Sequence, residues 1–405
     1  MGHLRARLAG LSFVLVLSPR LFLAQVTPPV DQTANLQQGI DALPPNGTLD
    51  CNGATYQVTA LQLKSNMTIR NCNLETIPGA VDFAAPITID GRNQPLSNIT
   101  IQNVTVVGNR HGQTNIGYAH QEDGGRHCFR LLGHLTQIVI EGSSGSYCAS
   151  DGIALVSYGV GSSDSPGDLP FQQITIRNST FAFNRRQGAS GDGLNDVTFD
   201  NVVFLQNGST LPGGLEGDQC ANYEGTCYGT GFWYEDYESD VSGEGMNNVV
   251  FSRCIFRDNF QRSMYFLTHT SPSAVGYEPR GNIRIVNSYL DAGVQPLIED
   301  YAIQFQVDDS LVGRGALFQN IVLQNNDLEG SLALRQVANM LILDSSINTT
   351  LQFLGYSSYS TEITFRDVLP SGKQLLNALT PNGQPDPVVT YSTASIDKSI
   401  TPVHR

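Results

Sequence analysis

A short pattern of apolar and polar residues recurs along the chain. It consists of a polar residue, an apolar–any–apolar triplet, and an Asn or Asp close behind. The copies are NMTIRN (66–71), NITIQN (98–103), QIVIEG (137–142), QITIRN (173–178), DVTFDN (196–201), NVVFSR (248–253), NIRIVN (282–287), NIVLQN (320–325), NMLILD (339–344) and EITFRD (362–367), three of them weaker. Alternation with a period of two is typical of a strand that buries one face. The pattern therefore predicts many short strands.

The spacing of these copies predicts how the strands are arranged. Their first apolar positions are 67, 99, 138, 174, 197, 249, 283, 321, 340 and 363, with tightest intervals of 19 and 23 residues. A base period near 20 residues with loop insertions is typical of a solenoid, in which each coil buries its apolar face only against its neighbours. The recurrent Asn fits a tight corner, because Asn tolerates left-handed dihedrals, and stacked coils would align its amides into a ladder.

A third strand follows many copies and carries the unusual side chains. The third strands align as RHCFRLLG (126–133), SDGIALVS (150–157), RQGASGDG (186–193), TGFWYEDY (230–237) and RSMYFLTH (262–269). Rungs of such a sheet lie about 4.8 Å apart, so equivalent positions form columns. The strand-entry column holds His127, Asp151, Gln187, Thr230 and Arg262; the first outward column holds Arg130, Ala154, Ser190, Trp233 and Tyr265; the second holds Leu132, Val156, Asp192, Glu235 and Leu267.

One face of the predicted solenoid thus collects carboxylates, arginines, a histidine and aromatic rings, a combination suited to binding sugars. We predict catalytic roles for Asp151, Arg186, Glu235 and His127, and substrate binding by Arg130, Arg185, Gln187, Trp233, Tyr265 and Arg262. Asp192 and Asp236, beside Glu235, are candidate ligands for calcium, which prefers hard oxygen atoms. The structural alternatives are capping arginines, an Asp151 that only makes a turn, a satisfied structural histidine and a packed tryptophan.

The repeat resembles the right-handed parallel β-helix superfamily, which includes pectate lyases, alginate and chondroitin lyases, mannuronan epimerases and polygalacturonases. The resemblance covers roughly residues 28–368 and implies an all-β solenoid with an N-terminal capping helix at Ala34–Leu43 (ANLQQGIDAL). We expect a signal peptide at 1–24, the β-helix domain at 25–368 and an irregular tail at 369–405.

The resemblance also implies chemistry. In related lyases an arginine or lysine removes the proton beside a uronate carboxyl group while a cation neutralises that group, which would make Arg186 the base or the uronate clamp. Mannuronan epimerases cluster His, Asp and Tyr, which His127, Asp151 and Tyr265 could supply. The Asn-Thr-Asp, Gly-His-Gly and Arg-Ile-Lys motifs of polygalacturonases do not occur. A two-carboxylate glycosidase using Asp151 with Glu235 or Asp192 stays open, and the separation of the pair would set its stereochemistry.

The amino terminus predicts export. Arg5 and Arg7 precede a short apolar core at 11–17 (LSFVLVL), and Ala24 ends a plausible cleavage site. The chain has a net charge of −14, and removal of 1–24 with its three arginines leaves about −17. Such acidity argues against a nucleic-acid partner, since phosphate binding needs a basic patch. We expect a secreted protein, extracellular or periplasmic, monomeric and without a membrane span once mature.

Seven cysteines in an exported chain allow up to three disulfides. Cys220 and Cys227 flank a short loop and form the best candidate pair. Cys51/Cys72 and Cys128/Cys148 are each one coil apart, where they are either bridged or merely stacked. Cys254 is predicted to be a buried, unpaired residue of the wall.

These observations together predict a secreted carbohydrate-active protein, a polysaccharide lyase or glycoside hydrolase acting on an acidic polysaccharide such as pectin or alginate, with epimerase chemistry also open. The alternative is a non-catalytic glycan-binding or adhesin-like solenoid, which would bind without turnover. A purely structural exported solenoid would bind no glycan.

Overall fold

The structure is a computed structural model that describes residues 30–79, 85–113, 126–157, 171–208, 229–236, 245–268, 280–293, 301–308, 318–347, 351–353, 361–366, 369–370, 377–378 and 389–392. The strands belong to one compact unit, Asp31–Arg405. Within the described ranges one helix, α1, spans Thr33–Ala42, and a single 3₁₀ turn spans Arg110–Gly112.

Thirty strands make up the rest of the described elements. They are β1 Gly47–Asp50, β2 Thr55–Val58, β3 Leu61–Gln62, β4 Met67–Thr76, β5 Ile87–Val107, β6 Phe129–Glu141, β7 Ser144–Ser146, β8 Ile153–Val156, β9 Phe171–Arg177, β10 Thr180–Ala182, β11 Ala189–Asp192, β12 Asn195–Asp200, β13 Val203–Leu205, β14 Thr230–Asp236, β15 Met246–Ser252, β16 Ile255–Arg257, β17 Arg262–Thr268, β18 Arg280–Val286, β19 Tyr289–Asp291, β20 Tyr301–Val307, β21 Phe318–Gln324, β22 Asp327–Glu329, β23 Ser331–Leu334, β24 Val337–Leu343, β25 Ser346–Ile347, β26 Leu351–Phe353, β27 Thr361–Arg366, β28 Leu369–Pro370, β29 Asn377–Ala378 and β30 Val389–Ser392.

The pairing pattern establishes the solenoid. From β9 onward each strand pairs in parallel with the strand three places further along the chain, so three strands make one coil and the coils form three faces. The chain is an all-β right-handed parallel β-helix, as the repeat predicted. Inward residues fill the core in stacks, including Phe199 on Phe251 at 4.8 Å between ring centroids and Phe266 on Phe305 at 4.6 Å.

Helix α1 closes the N-terminal end, which confirms the predicted capping helix. Leu36 and Ile40 are buried against the first coil. Side chains at the start of the helix also bond to the exposed strand edge: Thr33 Oγ1 accepts the N–H of Thr59, and Gln37 Oε1 accepts the N–H of Gln62. A covered edge cannot template pairing with another chain.

The corners confirm the role predicted for asparagine. Most described non-glycine residues with positive φ are Asn at corners of the coils, some of them within a single long strand, with φ near 53° at Asn71 in β4 and Asn103 in β5. Their amides form the outer asparagine ladder, in which Asn201 Nδ2 donates to Asn178 Oδ1 at 2.9 Å and equivalent bonds recur along the solenoid. Exposed Asn satisfies both the left-handed backbone and its neighbour's amide.

A second, buried ladder was not predicted. Asn184 Nδ2 donates to Asn207 Oδ1, and Asn207 Nδ2 donates to Asn259 Oδ1, each at 2.9 Å. Each amide also donates to a backbone carbonyl, and each Oδ1 accepts a backbone N–H. All three side chains are fully buried. We call this set the inner asparagine ladder.

Two disulfides form within the described residues. Cys51–Cys72 and Cys128–Cys148 are bridged rather than only stacked, with Cα atoms 4.9 and 5.6 Å apart. Cys254 is free and buried, as predicted, and burial raises the pKa of its thiol to about 12. Cys220 and Cys227 lie outside the described residues.

Described strands also occur after residue 368, while the predicted domain boundaries stay a prediction. Strands β28, β29 and β30 pair in parallel with the coil before them, so the solenoid continues into the segment predicted to be an irregular tail. The predicted signal peptide lies outside the described residues and stays a prediction. Within the described part of the chain, no helix has the length and apolar character needed to cross a membrane.

Candidate functional site

The third-strand face brings the predicted columns together. Arg130 is in register with Ala154, Ala154 with Ser190, Ser190 with Trp233, and Trp233 with Tyr265. The same strands place Leu132, Val156 and Asp192 in register in the second outward column. Residues from five separate coils therefore lie along one wall of the solenoid.

The tightest polar cluster on this face surrounds the carboxylate of Asp151. His127 Nδ1 lies 3.4 Å from Oδ2, and Arg186 Nε lies 3.5 Å from Oδ1. Ser190 donates its hydroxyl to Oδ2 at 2.7 Å, and the backbone N–H of Gln187 donates to Oδ1 at 3.1 Å. Asp151 is 1% exposed, so its charge is held by these four groups.

The local sequence explains why the corner holds these residues in place. In Asn184-Arg185-Arg186-Gln187-Gly188, Asn184 belongs to the inner ladder. A Cβ on Gly188 would lie 2.7 Å from the carbonyl oxygen of Gly231 and 2.8 Å from Asn207 Nδ2, so only glycine fits. The inner-ladder residue Asn184 and the glycine Gly188 therefore fix the two ends of the corner that carries Arg186.

Electrostatics in the cluster separate the two titratable groups. Burial is the largest influence on Asp151 and would raise its pKa, but the Arg186 charge, His127 and Ser190 outweigh it and lower the pKa to about 2. Burial also dominates for His127 and lowers its pKa below the ordinary value. The charges of Arg186 and Arg130 act in the same direction, and Asp151 opposes them. At neutral pH the cluster holds an aspartate anion and a neutral imidazole.

The contacts of His127 determine which nitrogen is available. The backbone N–H of Asp151 donates to Nδ1 at 3.4 Å, and Oδ2 of the same residue lies 3.4 Å from Nδ1, so Nε2 is the nitrogen that binds no described residue. The ring is 11% exposed. Nδ1 can accept the Asp151 N–H in one tautomer or, in the other, carry the proton and donate it to the Asp151 carboxylate. In the second tautomer Nε2 carries the basic lone pair, the arrangement that a carboxylate–imidazole pair uses for proton transfer.

Arg186, predicted to be catalytic, and Arg130 and Arg185, predicted to bind substrate, differ in accessibility. Arg130 is half-buried in the first outward column, and Arg186 is 22% exposed. Arg185 is buried at 4%, with its backbone N–H bonded to the carbonyl of Cys148. Gln187 is buried at 1% and its Oε1 accepts a hydrogen bond from Arg186 Nε. Arg130 and Arg186 are therefore more accessible than Arg185.

A second polar group lies further along the same face. Trp233 Nε1 donates to Glu235 Oε2 at 3.0 Å, and the Trp233 ring packs edge-on against Tyr265 at 4.6 Å. The hydroxyl of Tyr265 donates to Gln306 Oε1 at 3.0 Å, and Gln304 Nε2 donates to the same oxygen at 2.7 Å. This set, which we call the aromatic–amide group, is physically distinct from the Asp151 cluster.

The remaining predicted residues have defined positions. Arg262, in register with Thr230 at the strand entry, places its guanidinium 4.6 Å from the centroid of the Tyr265 ring. Asp192 is half-buried. The side chain of Asp236 lies outside the described part of the chain. Across the described ranges, no three His, Cys, Asp or Glu side chains converge as a metal site. Calcium binding by Asp192 and Asp236 stays a prediction.

Three contributors were not among the predicted site residues. Ser190 belongs to the first outward column of the aligned third strands. This position near Asp151 can be read from the sequence, but no role was predicted for the side chain. Gln304 and Gln306 alternate with apolar residues in Tyr301–Val307 (YAIQFQV), and Gln304 is in register with Tyr265. Extending the phase alignment by one more coil would have found both.

No protein-family model matches the sequence, and the search of curated proteins finds no relative. Among solved structures, the A-module of mannuronan C-5 epimerase AlgE4 from Azotobacter vinelandii aligns with a TM-score of 0.55 at 14% identity, over 93% of this chain and 97% of that one. The A-module of AlgE6 from the same organism gives 0.51 at 13%, over 91% and 97%. A tailspike protein of E. coli bacteriophage HK620, in complex with a hexasaccharide, gives 0.50 at 13%, over 92% and 63%.

Identities this low show the fold alone. By architecture the chain is a right-handed parallel β-helix protein.

Proposed function

We propose that this protein is a carbohydrate-active enzyme that removes a proton beside the carboxylate of an acidic polysaccharide. The observation that carries the proposal is the Asp151 cluster, which holds a neutral imidazole beside a guanidinium at a strand entry. Proton removal next to a uronate carboxyl group is the step that polysaccharide lyases and uronate epimerases share.

In this mechanism His127 Nε2 takes the proton and Asp151 positions the imidazole and stabilises the imidazolium that forms. The neutral state of His127 at neutral pH suits a base, because a group can accept a proton only when it is unprotonated at the working pH. Arg186 and Arg130 bind the substrate carboxylate and stabilise the negative charge that develops as the proton leaves. Arg186 is thus proposed as the clamp and Asp151 as a positioning residue.

The two-carboxylate glycosidase is less well supported by the same geometry. A general acid must hold a proton at the working pH, whereas the pKa of Asp151 is lowered to about 2 and its side chain is 1% exposed. We therefore do not assign Asp151 and Glu235 as an acid–base pair. Glu235 is proposed to contact substrate through the aromatic–amide group.

The structural comparisons support the substrate class only by analogy. Two of the similar structures are named as mannuronan epimerases, and another was solved with a bound hexasaccharide. The two disulfides favour an oxidising compartment, consistent with a secreted protein that meets extracellular glycans.

The test is incubation of purified protein with uronate polymers and neutral glycans. Unsaturated ends are followed by ultraviolet absorbance, and exchange of the uronate proton with solvent deuterium by NMR. We expect one of these signals for an acidic polymer and a loss of about 10²–10⁴-fold in His127→Ala, the usual contribution of a general base. His111→Ala, an exposed histidine outside the cluster, is the control. Absence of both signals on every acidic polymer, with binding retained, would instead support a glycan-binding solenoid.

A further inference from the structure

The third-strand face changes chemical character along its length. The rungs of β6, β8 and β11 carry the cationic half, in which Arg130, Arg186 and the neutral His127 lie around the ionised Asp151. The next three rungs carry the aromatic–amide group. With about 4.8 Å per rung, Trp233 stands about 14 Å from the rung of Arg130, so the halves are far enough apart to contact different sugars.

Gln304 is the residue of the aromatic–amide group that most restricts which sugar can bind there. Its residue is 6% exposed, and Oε1 is buried without accepting a hydrogen bond from any described residue. Its Nε2 is engaged with Gln306 Oε1, which fixes the amide. A buried acceptor without a donor is costly, and the cost is relieved when a ligand supplies one.

The hydrogen-bond donor that Gln304 Oε1 lacks can come from a neutral sugar but not from an ionised carboxylate. An ionised carboxylate only accepts hydrogen bonds, whereas a sugar hydroxyl or an acetamido N–H donates. Glu235 adds a carboxylate in this half, held by Trp233 Nε1–H, and a second carboxylate from substrate would be disfavoured beside it. Arg262, a cation of the described residues in this half, lies at the strand entry with its guanidinium over the Tyr265 and Tyr301 rings.

We propose that the substrate is an acidic heteropolysaccharide, with a uronate at the cationic half and a neutral sugar at the aromatic–amide group. This inference rests on the proposed function for the position of the uronate. Gln304 is the residue that specifies the neutral sugar, because its Oε1 accepts a hydroxyl or acetamido hydrogen there. In a uniform polyuronate, the sugar at this position would bring a second carboxylate beside Glu235.

The experiment measures binding by calorimetry, so that it does not require turnover. Wild type and His127→Ala are titrated with hyaluronan hexasaccharides, which alternate uronate and acetamido sugars, and with oligogalacturonate and oligomannuronate of equal length. We expect at least tenfold tighter binding of the alternating oligosaccharide. Gln304→Met is expected to reduce that affinity about tenfold and to leave the affinity for the uniform oligouronates unchanged.

Gln319→Met, on a different face in β21, is the matched control and should change neither affinity. Thermal melting of Gln304→Met checks that the variant is folded. Equal or tighter binding of the uniform oligouronates, an equal effect of Gln304→Met on both sets, or no binding of any of them would overturn the inference. Selective binding without turnover would contradict only the proposed function. Turnover of uniform polyuronates that is insensitive to Gln304→Met would contradict only the inference that the substrate is a heteropolysaccharide.

Discussion

Two aspartates on different faces of the solenoid show how environment assigns opposite properties to one side chain. Asp151 and Asp291 each accept backbone N–H groups, the former from Gln187 and the latter from Asp258 and Gly293. The pKa of Asp151 is lowered to about 2, whereas that of Asp291 is raised.

The difference lies in the neighbouring charges. Burial raises the pKa of both groups, but Asp151 has the Arg186 guanidinium and His127 beside it, while Asp291 has the carboxylates of Asp258 and Glu329. Backbone donors alone do not reverse the effect of burial at Asp291. A buried carboxylate beside an arginine and a histidine is a better candidate site than an acidic cluster on a solenoid wall.

The largest expected effect follows from removing the Asp151 charge. Asp151→Asn leaves Arg186 facing a neutral amide and allows the imidazole to change tautomer. Breaking a buried ion pair costs about 3–5 kcal/mol. We expect that loss in chemical unfolding, together with loss of any turnover. A destabilisation below about 1 kcal/mol would show that Asp151 is not held as an essential buried anion.

The next effect concerns the two disulfides, which can be compared directly because they close loops of similar length. Cys128–Cys148 and Cys51–Cys72 close loops of 20 and 21 residues, so removing either is expected to cost about 3 kcal/mol. Cys128 directly follows His127, and Cys148 precedes the corner of Asp151. Replacing both cysteines of a bridge by alanine is therefore expected to impair turnover only for Cys128–Cys148. Equal losses of activity would show that general stability, and not the position of His127, accounts for the effect.

Individual residues show how much of the fold and of the Asp151 site the sequence predicted. The Asn that recurs at the corners was sufficient to predict the β-helix fold. A left-handed corner that returns at a fixed position in each repeat requires coils that stack in register. The same phase placed Asp151, Ser190 and Trp233 on one face. Burial was not visible, since the sequence does not show that four groups enclose the Asp151 carboxylate. The pattern weakens after residue 368, where the structure describes strands β28, β29 and β30.

A third expected effect is on acid stability. The pKa of Asp151 is depressed in the folded state, so its contribution is present above the unfolded pKa of 3.8 and is lost as pH falls from there towards about 2. A shift of this size is worth about 2 kcal/mol. The folded pKa of His127 is also lowered, so stability decreases as pH falls through its unfolded value of 6.5.

Urea unfolding across this pH range is expected to show the His127 loss first and the Asp151 loss at lower pH. In Asp151→Asn the lower step should shrink by about 2 kcal/mol, because the group that titrates there is gone. Persistence of the full lower step in the variant would assign it to other carboxylates.

The smallest expected effect is at Asp291. Asp291→Asn loses one of two acceptors for backbone N–H groups, but it also removes repulsion from Glu329 and Asp258, so the net change at neutral pH should stay within about 1 kcal/mol. The raised pKa means that the stability gained from protonating Asp291 is present below 3.8 and is lost as pH rises through the folded value. The variant should therefore gain on wild type as pH rises through that range, opposite in direction to Asp151→Asn. If urea unfolding gave both variants the same pH trend, neighbouring charge would not be what separates the two aspartates.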